Sequence, residues 1–181
     1  MIDAANYDQA ETLKDGTAVR VRSIRPDDKN RLSEAFRNLE AESIYTRFFH
    51  HKKGLTDEEL KAATEVDFEE VVALVVTVGE EGNEIIIGAG RYAAFDAANT
   101  LRCAEVAFTV EEDYHRQGIA SCLLRHLVRI ARVKGVSQFE AAVLAENRAM
   151  IAVFERSGLP VHKKFEGDVV HITTSLTADA S

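Results

Sequence analysis

Apolar and polar positions recur with a period of two in some stretches of this chain and at helical spacing in others, and the switches mark its elements. Residues 18–24 alternate and read as the first strand. Pro26 suits the first turn of a helix, and Asp27 and Asp28 complement its N-terminal dipole. Leu32, Ala35, Phe36 and Leu39 give that helix one apolar face. Residues 43–49 read as a second, short helical segment. Thr56 and Glu59 carry a capping-box signature, with Leu60 and Ala63 on the buried side of the helix they open. Residues 71–78 are a β-branched run, expected as a strand covered on both faces. Residues 79–83 supply turn chemistry, and residues 85–92 return as a hairpin partner. After a turn over 96–100, a strand over 104–110 completes an antiparallel meander.

Beyond residue 110 the pattern becomes helix, strand, helix, strand. In the helix over 118–134, Leu123, Leu124, Leu127, Val128 and Ala131 form an apolar stripe, while Arg125, Arg129 and Arg132 face solvent. Gly135 is placed to stop it. Residues 139–143 read as a strand and residues 147–157 as a helix ended by Gly158 and Pro160, with Met150, Val153 and Phe154 inward. Residues 161–165 and 169–176 flank the hairpin connection Glu166, Gly167, Asp168. The fold class is α/β in the mixed α+β sense: a twisted mixed sheet of about six or seven strands with helices on both faces. Residues 1–14 read as a loose arm or marginal helix, residues 15–176 as a single domain, and residues 177–181 as a tail.

Composition changes this picture little. At 181 residues the chain can bury a sizeable core, and its net charge of −8 argues against bulk nucleic-acid binding. Cys103 and Cys122 form neither a metal-ligand spacing nor a redox pair, and read as reduced core thiols of a reducing, cytoplasmic compartment. His50 and His51 are adjacent and share no face, so no metal is expected. No apolar run is long enough to span a membrane, and the polar, acidic start is not a secretory signal.

The most informative stretch is the strand-to-helix junction His115, Arg116, Gln117, Gly118, Ile119, Ala120. A glycine-containing turn entering a helix exposes N–H groups with no intrahelical partner, which together with the helix dipole favour an anion, typically a phosphate. Glu111, Glu112 and Asp113 lie close by in sequence and oppose an anion unless they face water. The pattern lacks both the P-loop signature and the dinucleotide fingerprint.

This junction, with His115 first, Gly118 fourth and Ala120 sixth, resembles the acyl-CoA motif Gln/Arg-x-x-Gly-x-Gly/Ala of the GNAT N-acetyltransferases. The first position departs from that pattern, and Arg116 stands where glycine is frequent. Asn147 with Gly158 and Leu159 resembles a second block of that superfamily. Ile24-Arg25-Pro26-x-Asp28, Ser43-x-Tyr45-x-Arg47-Phe48-Phe49 and residues 104–110 resemble, more narrowly, the catalytic domain of bacterial Pat-type protein lysine acetyltransferases. Members of that group are often fused to a cyclic-nucleotide-binding or acyl-CoA-synthetase-like domain; 181 residues leave no room for either, so regulation in cis is not expected.

The resemblance implies acetyl-CoA as cosubstrate, no metal, and transfer of an acetyl group to a primary amine of a protein lysine. A small amine such as a polyamine, an amino acid or an aminoglycoside is the alternative acceptor; a non-catalytic acyl-CoA-binding module is the alternative of a different class. No nucleic acid or membrane is implied, and the chain is expected as a monomer or homodimer. By spacing alone Glu105 fits a solvent-facing strand position as well as a general base; the resemblance assigns it the base, with its pKa expected to be raised among apolar strand residues. The resemblance gives Phe108 and Val110 a role through their backbone amides, toward the pantetheine and the thioester carbonyl. It gives His115, Arg116, Gln117, Gly118, Ala120 and Ser121 the pyrophosphate, and gives Asn147 a coenzyme contact, although asparagine is also an ordinary helix cap. Many GNAT enzymes carry a general-acid tyrosine seven residues after the asparagine; here that position is Phe154, which has no proton to donate. Tyr45, Arg47, Phe48 and Phe49 fall where the fold shapes the acceptor side.

Overall fold

The computed structural model describes residues 1–39, 54–98, 101–111 and 114–177. The segment 43–49, the pair His50 and His51, the acidic residues Glu112 and Asp113, and the end of the tail lie outside the described residues.

Eight strands form a single sheet in the order β1-β2-β3-β4-β5-β6-β8-β7. They are β1 Asp8–Thr12, β2 Ala18–Ser23, β3 Val71–Val78, β4 Ile85–Asp96, β5 Arg102–Val110, β6 Gln138–Leu144, β7 Val161–Glu166 and β8 Val169–Ser175. Neighbours from β1 to β5 are antiparallel, β5 and β6 are parallel, and β8 runs antiparallel to both β6 and β7. Among the described residues the α-helices are α1 Lys29–Arg37, α2 Asp57–Thr64, α3 Ile119–Val133 and α4 Arg148–Glu155.

The pleat assigns each strand residue to a face. Val72, Leu74 and Val76 of β3 point with Tyr92, Val106 and Phe108 into the core under α3 and α4. Ala73 and Val75 point the other way, with Ile24, Ile86, Leu32 and Ala35, toward α1. A strand buried on both faces needs apolar residues at every position, which is why residues 71–78 show no alternation. In α3 the stripe is buried as expected, and Arg125, Arg129 and Arg132 are exposed. The Thr56 and Glu59 capping box opens α2, with Thr56 Oγ1 accepting from the Glu59 N–H at 3.1 Å.

The N-terminal stretch corrects the expectation of a loose arm or marginal helix. Asp8–Thr12 pairs with β2, and Ala4, Tyr7 and Leu13 are buried in the main core. Glu11 accepts from Arg125 at 2.9 Å and from His126 Nε2 at 2.7 Å, while the Tyr7 hydroxyl meets His126 Nδ1, so β1 is tied to α3.

The close seating of α3 on β4 depends on missing side chains. A Cβ on Gly88 would lie 2.6 Å from Ile119 Cγ2, and one on Gly90 would lie 2.9 Å from Phe108 Cδ1. Ile119 is the first residue of α3 and is buried, so it has little room to yield. Gly88→Ala is therefore expected to lower stability by about 1–3 kcal/mol through overpacking; urea denaturation measures it, and an unchanged midpoint would mean that α3 lifts at no cost.

Candidate active site

The sheet opens at one place. β6 pairs with β5 only along Cys103–Gln138, Ala104–Phe139 and Glu105–Glu140, then continues to Leu144 with β8 alone. From Val106 to Val110, β5 is paired on its β4 side only. The Ser137 N–H donates to the Arg102 carbonyl at 2.8 Å, so the backbone of Arg102 faces β6. By alternation the backbones of Ala104, Val106, Phe108 and Val110 face the same way. The Phe108 and Val110 amides therefore point into the gap.

Both helices that follow the parallel strands begin at this open end. In α3 the first intrahelical bond runs from the Cys122 N–H to the Gly118 carbonyl at 2.9 Å. The N–H groups of Ile119, Ala120 and Ser121 precede it and have no partner in the helical ladder. Gly118, the N-cap, has φ +85°, and Arg116 has φ +66°. A left-handed backbone at Arg116 explains in steric terms why glycine suits that position.

Two side chains of this turn also hold it together. His115 Nε2 donates to the Val110 carbonyl at 3.0 Å, so the ring bridges the turn. Gln117 Oε1 accepts the Asp15 N–H at 3.0 Å, and the Gln117 carbonyl accepts the Lys14 N–H at 3.3 Å. The Gln117 side chain thus holds the β1–β2 turn against the phosphate-type turn. Arg116 and Ser121 are exposed, Gly118 and Ala120 half-buried. Sequence reasoning missed Lys14 and Asp15, because they lie far from the junction along the chain. Asn147 caps α4, its Oδ1 accepting from the Met150 N–H at 3.2 Å. Phe154 is fully buried against Phe108, with ring centroids 6.1 Å apart.

Glu105 stands at the last β5 position paired to β6, opposite Ala93 on one side and Glu140 on the other. It shares its face with Ala107 and Thr109. The carboxylate is exposed, which corrects the expectation of apolar surroundings: the open gap admits water beside it. Glu140, held by Gln138 at 3.2 Å, is a second carboxylate at the same register, which sequence reading did not single out.

On this face a cavity of about 300 Å³ runs between α1, α2 and the sheet. Ala73, Ala89 and Ala107 floor it, Leu32 and Phe36 wall it, and Arg91, Thr109 and Glu111 add polar groups. Glu111 thus lies on the cavity side.

One cluster joins residues far apart in sequence. Ligand atoms of Glu11, Cys122 and His126 lie within 4.8 Å of one another. Arg125 donates to Glu11 at 2.9 Å and to Cys122 Sγ at 3.7 Å, supplying the positive charge there. Burial pushes the Cys122 thiol up to about 11. The arrangement anchors β1 on α3.

Comparison with known proteins agrees with this geometry. The family model described as acetyltransferase (GNAT) family matches residues 38–159. An acetyltransferase of Pseudomonas aeruginosa is 31% identical over 140 residues, which is 77% of this chain and 74% of that protein. The acetyltransferase Pat of Mycolicibacterium smegmatis is 34% identical over 138 residues, covering 76% of this chain but 40% of that longer relative. The crystal structure of the GNAT domain of S. lividans PAT superposes with a TM-score of 0.84 at 34% identity, covering 93% of this chain and 96% of that one. With a family match over more than half its length and the parted parallel strands beside an anion-ready turn, the chain belongs to the GNAT family of acetyltransferases.

Proposed function

We propose that this protein transfers an acetyl group from acetyl-CoA to the side-chain amine of a protein lysine. The observation that supports this most is the parting of β5 and β6 immediately after Glu105, at the end where α3 and α4 begin. A gap lined by the Phe108 and Val110 amides fits the amide-bearing arm of the coenzyme and a thioester carbonyl. The N–H groups ahead of Cys122 fit its diphosphate.

Lysine amine is protonated at neutral pH, with an ordinary pKa near about 10.4. Glu105, water-accessible at the edge of the gap, takes the proton from the attacking amine directly or through a water. The amine nitrogen then bonds to the thioester carbon, and the carbon–sulfur bond breaks. The Phe108 and Val110 amides donate toward the carbonyl oxygen as it gains charge. The thiolate leaves without help from Phe154, and the surplus proton on the nitrogen passes to the departing sulfur or to water.

The likeness to Pat proteins supports a protein acceptor, and the net charge of −8 suits a basic one. The buried free thiols of Cys103 and Cys122 suit a reducing compartment such as the cytoplasm.

Incubation with labelled acetyl-CoA and desalted cell extract, and separately with the small-molecule fraction, tests the reading. Label in protein lysines supports it. Label only in small molecules makes the acceptor a small amine, and acetyl-CoA binding without transfer leaves a binding module. The diphosphate site has its own test. A glutamate at position 118 would strain a backbone at φ +85°, crowd Lys14, and add a negative charge to the turn. Gly118→Glu is expected to weaken acetyl-CoA binding by about 100-fold in calorimetry, a loss of about 2.7 kcal/mol; unchanged affinity would move the phosphate site elsewhere.

A further inference from the structure

Lys14 lies in the turn between β1 and β2, and its side chain runs across the face of Gly118. A Cβ built on Gly118 would sit 3.3 Å from Lys14 Cε and 3.9 Å from Cδ and Cγ. The backbone beneath it is held on both sides: Lys14 N–H to the Gln117 carbonyl at 3.3 Å, Asp15 N–H to Gln117 Oε1 at 3.0 Å, and Leu13 N–H to the Thr17 carbonyl at 2.9 Å. Leu13 is buried in the main core, which pins the turn. The ammonium is one bond beyond Cε, so it stands beside the glycine that opens α3. It makes no ion pair among the described residues. The carboxylates nearest in sequence are engaged elsewhere, Asp15 with the Thr17 N–H at 2.9 Å and Glu11 with Arg125 and His126.

We propose that Lys14 is a ligand of the acetyl-CoA diphosphate, reaching it over Gly118 from the neighbouring β1–β2 turn. This rests on the reading that the turn ahead of α3 binds that coenzyme. Backbone amides supply hydrogen bonds but no net charge, and the chain as a whole is acidic at −8. A cation beside those amides offsets the negative charge of the chain. The contact with Gly118 itself points to the diphosphate at the first turn of α3 rather than the 3′-phosphate. A Cβ at 118 would press on the lysine stem at 3.3 Å, so the stem would have to shift by a few tenths of an ångström.

Calorimetric titration of the full chain, Lys14→Met and Lys14→Arg with acetyl-CoA and with 3′-dephospho-acetyl-CoA, at low and high salt, tests this. Methionine keeps the alkyl stem and removes the charge. Lys14→Met is expected to bind both ligands about 10-fold more weakly at low salt, with a shallower salt dependence, and Lys14→Arg to restore most of the affinity. The thermal midpoint of the ligand-free chain is expected to stay unchanged, which a structural role for Lys14 would not permit. Full affinity in Lys14→Met overturns the proposal, as does a loss confined to the 3′-phosphorylated ligand. If the wild-type chain binds neither ligand, the acetyl-CoA reading itself fails, and that outcome is distinct from failure of Lys14 alone.

Discussion

Glu105→Gln lowers kcat/KM for acetyl transfer by about 1,000-fold, within the range of about 10²–10⁴ for a positioned general base, and leaves the Kd for acetyl-CoA unchanged. Glutamine keeps the size and hydrogen-bonding capacity of the side chain but does not take a proton from an ammonium. The Glu105 carboxylate is exposed and has no hydrogen bond or ion pair among the described residues, so its replacement is expected to change stability by less than about 0.5 kcal/mol. Steady-state assay with a lysine peptide, paired with calorimetry of acetyl-CoA binding, separates chemistry from binding. A defect confined to turnover is the expected signature. Unchanged turnover would return Glu105 to the role of a solvent-facing strand residue.

The largest expected effect on stability belongs to Asp28→Ala, about 3–5 kcal/mol. Asp28 is completely buried and accepts from Arg22 through both oxygens at 2.8 Å; the Arg25 N–H adds a third bond at 2.7 Å. Arg31 and Glu84 extend the network. Removing the carboxylate leaves the buried guanidinium of Arg22 without its bidentate partner. Urea denaturation measures the loss, with an unchanged m-value confirming that the native fold persists. Burial by itself would raise the Asp28 pKa, but the Arg22 hydrogen bonds, the Arg25 N–H and the two guanidinium charges outweigh it, and the net shift is downward. The sign follows: stabilisation is fully present above the unfolded carboxylate value, about 3.9, and is lost as pH falls through the lower folded value. The wild type is thus expected to lose stability more steeply below about pH 4 than Asp28→Ala. Equal acid slopes would mean that the pair contributes no linkage.

Asp28 also shows how a motif changes meaning. In sequence Arg25-Pro26-x-Asp28 marks a resemblance and a helix start. In the structure its aspartate locks the end of β2 to the start of α1, a role in folding.

Periodicity identified the elements themselves. The uninterrupted apolar run of β3 matches Val71–Val78, the apolar stripe of α3 is buried, and the capping box at Thr56 forms. These signals are local, because burial of one face imposes a repeat of two or of about 3.6 residues on the sequence. The strand β1 was not legible for the same reason. Four of the five residues of this edge strand are exposed and the fifth, Glu11, is polar, so it carries no apolar repeat. The environment of Glu105 was misjudged because strand alternation gives its face but not whether the neighbouring strand stays beside it.

By itself the sequence determined the strands and helices from β2 to β8, where the glycine turn enters α3, and which glutamate stands on the strand before it. Only the tertiary structure decided that β1 pairs with β2, that β6 parts from β5 after Glu105, and that Lys14 lies on Gly118. Each of the first set follows from forces among residues a few positions apart. The parting and the lysine contact depend on contacts such as that of Asp15 with Gln117, 102 positions along the chain, and no local repeat encodes them.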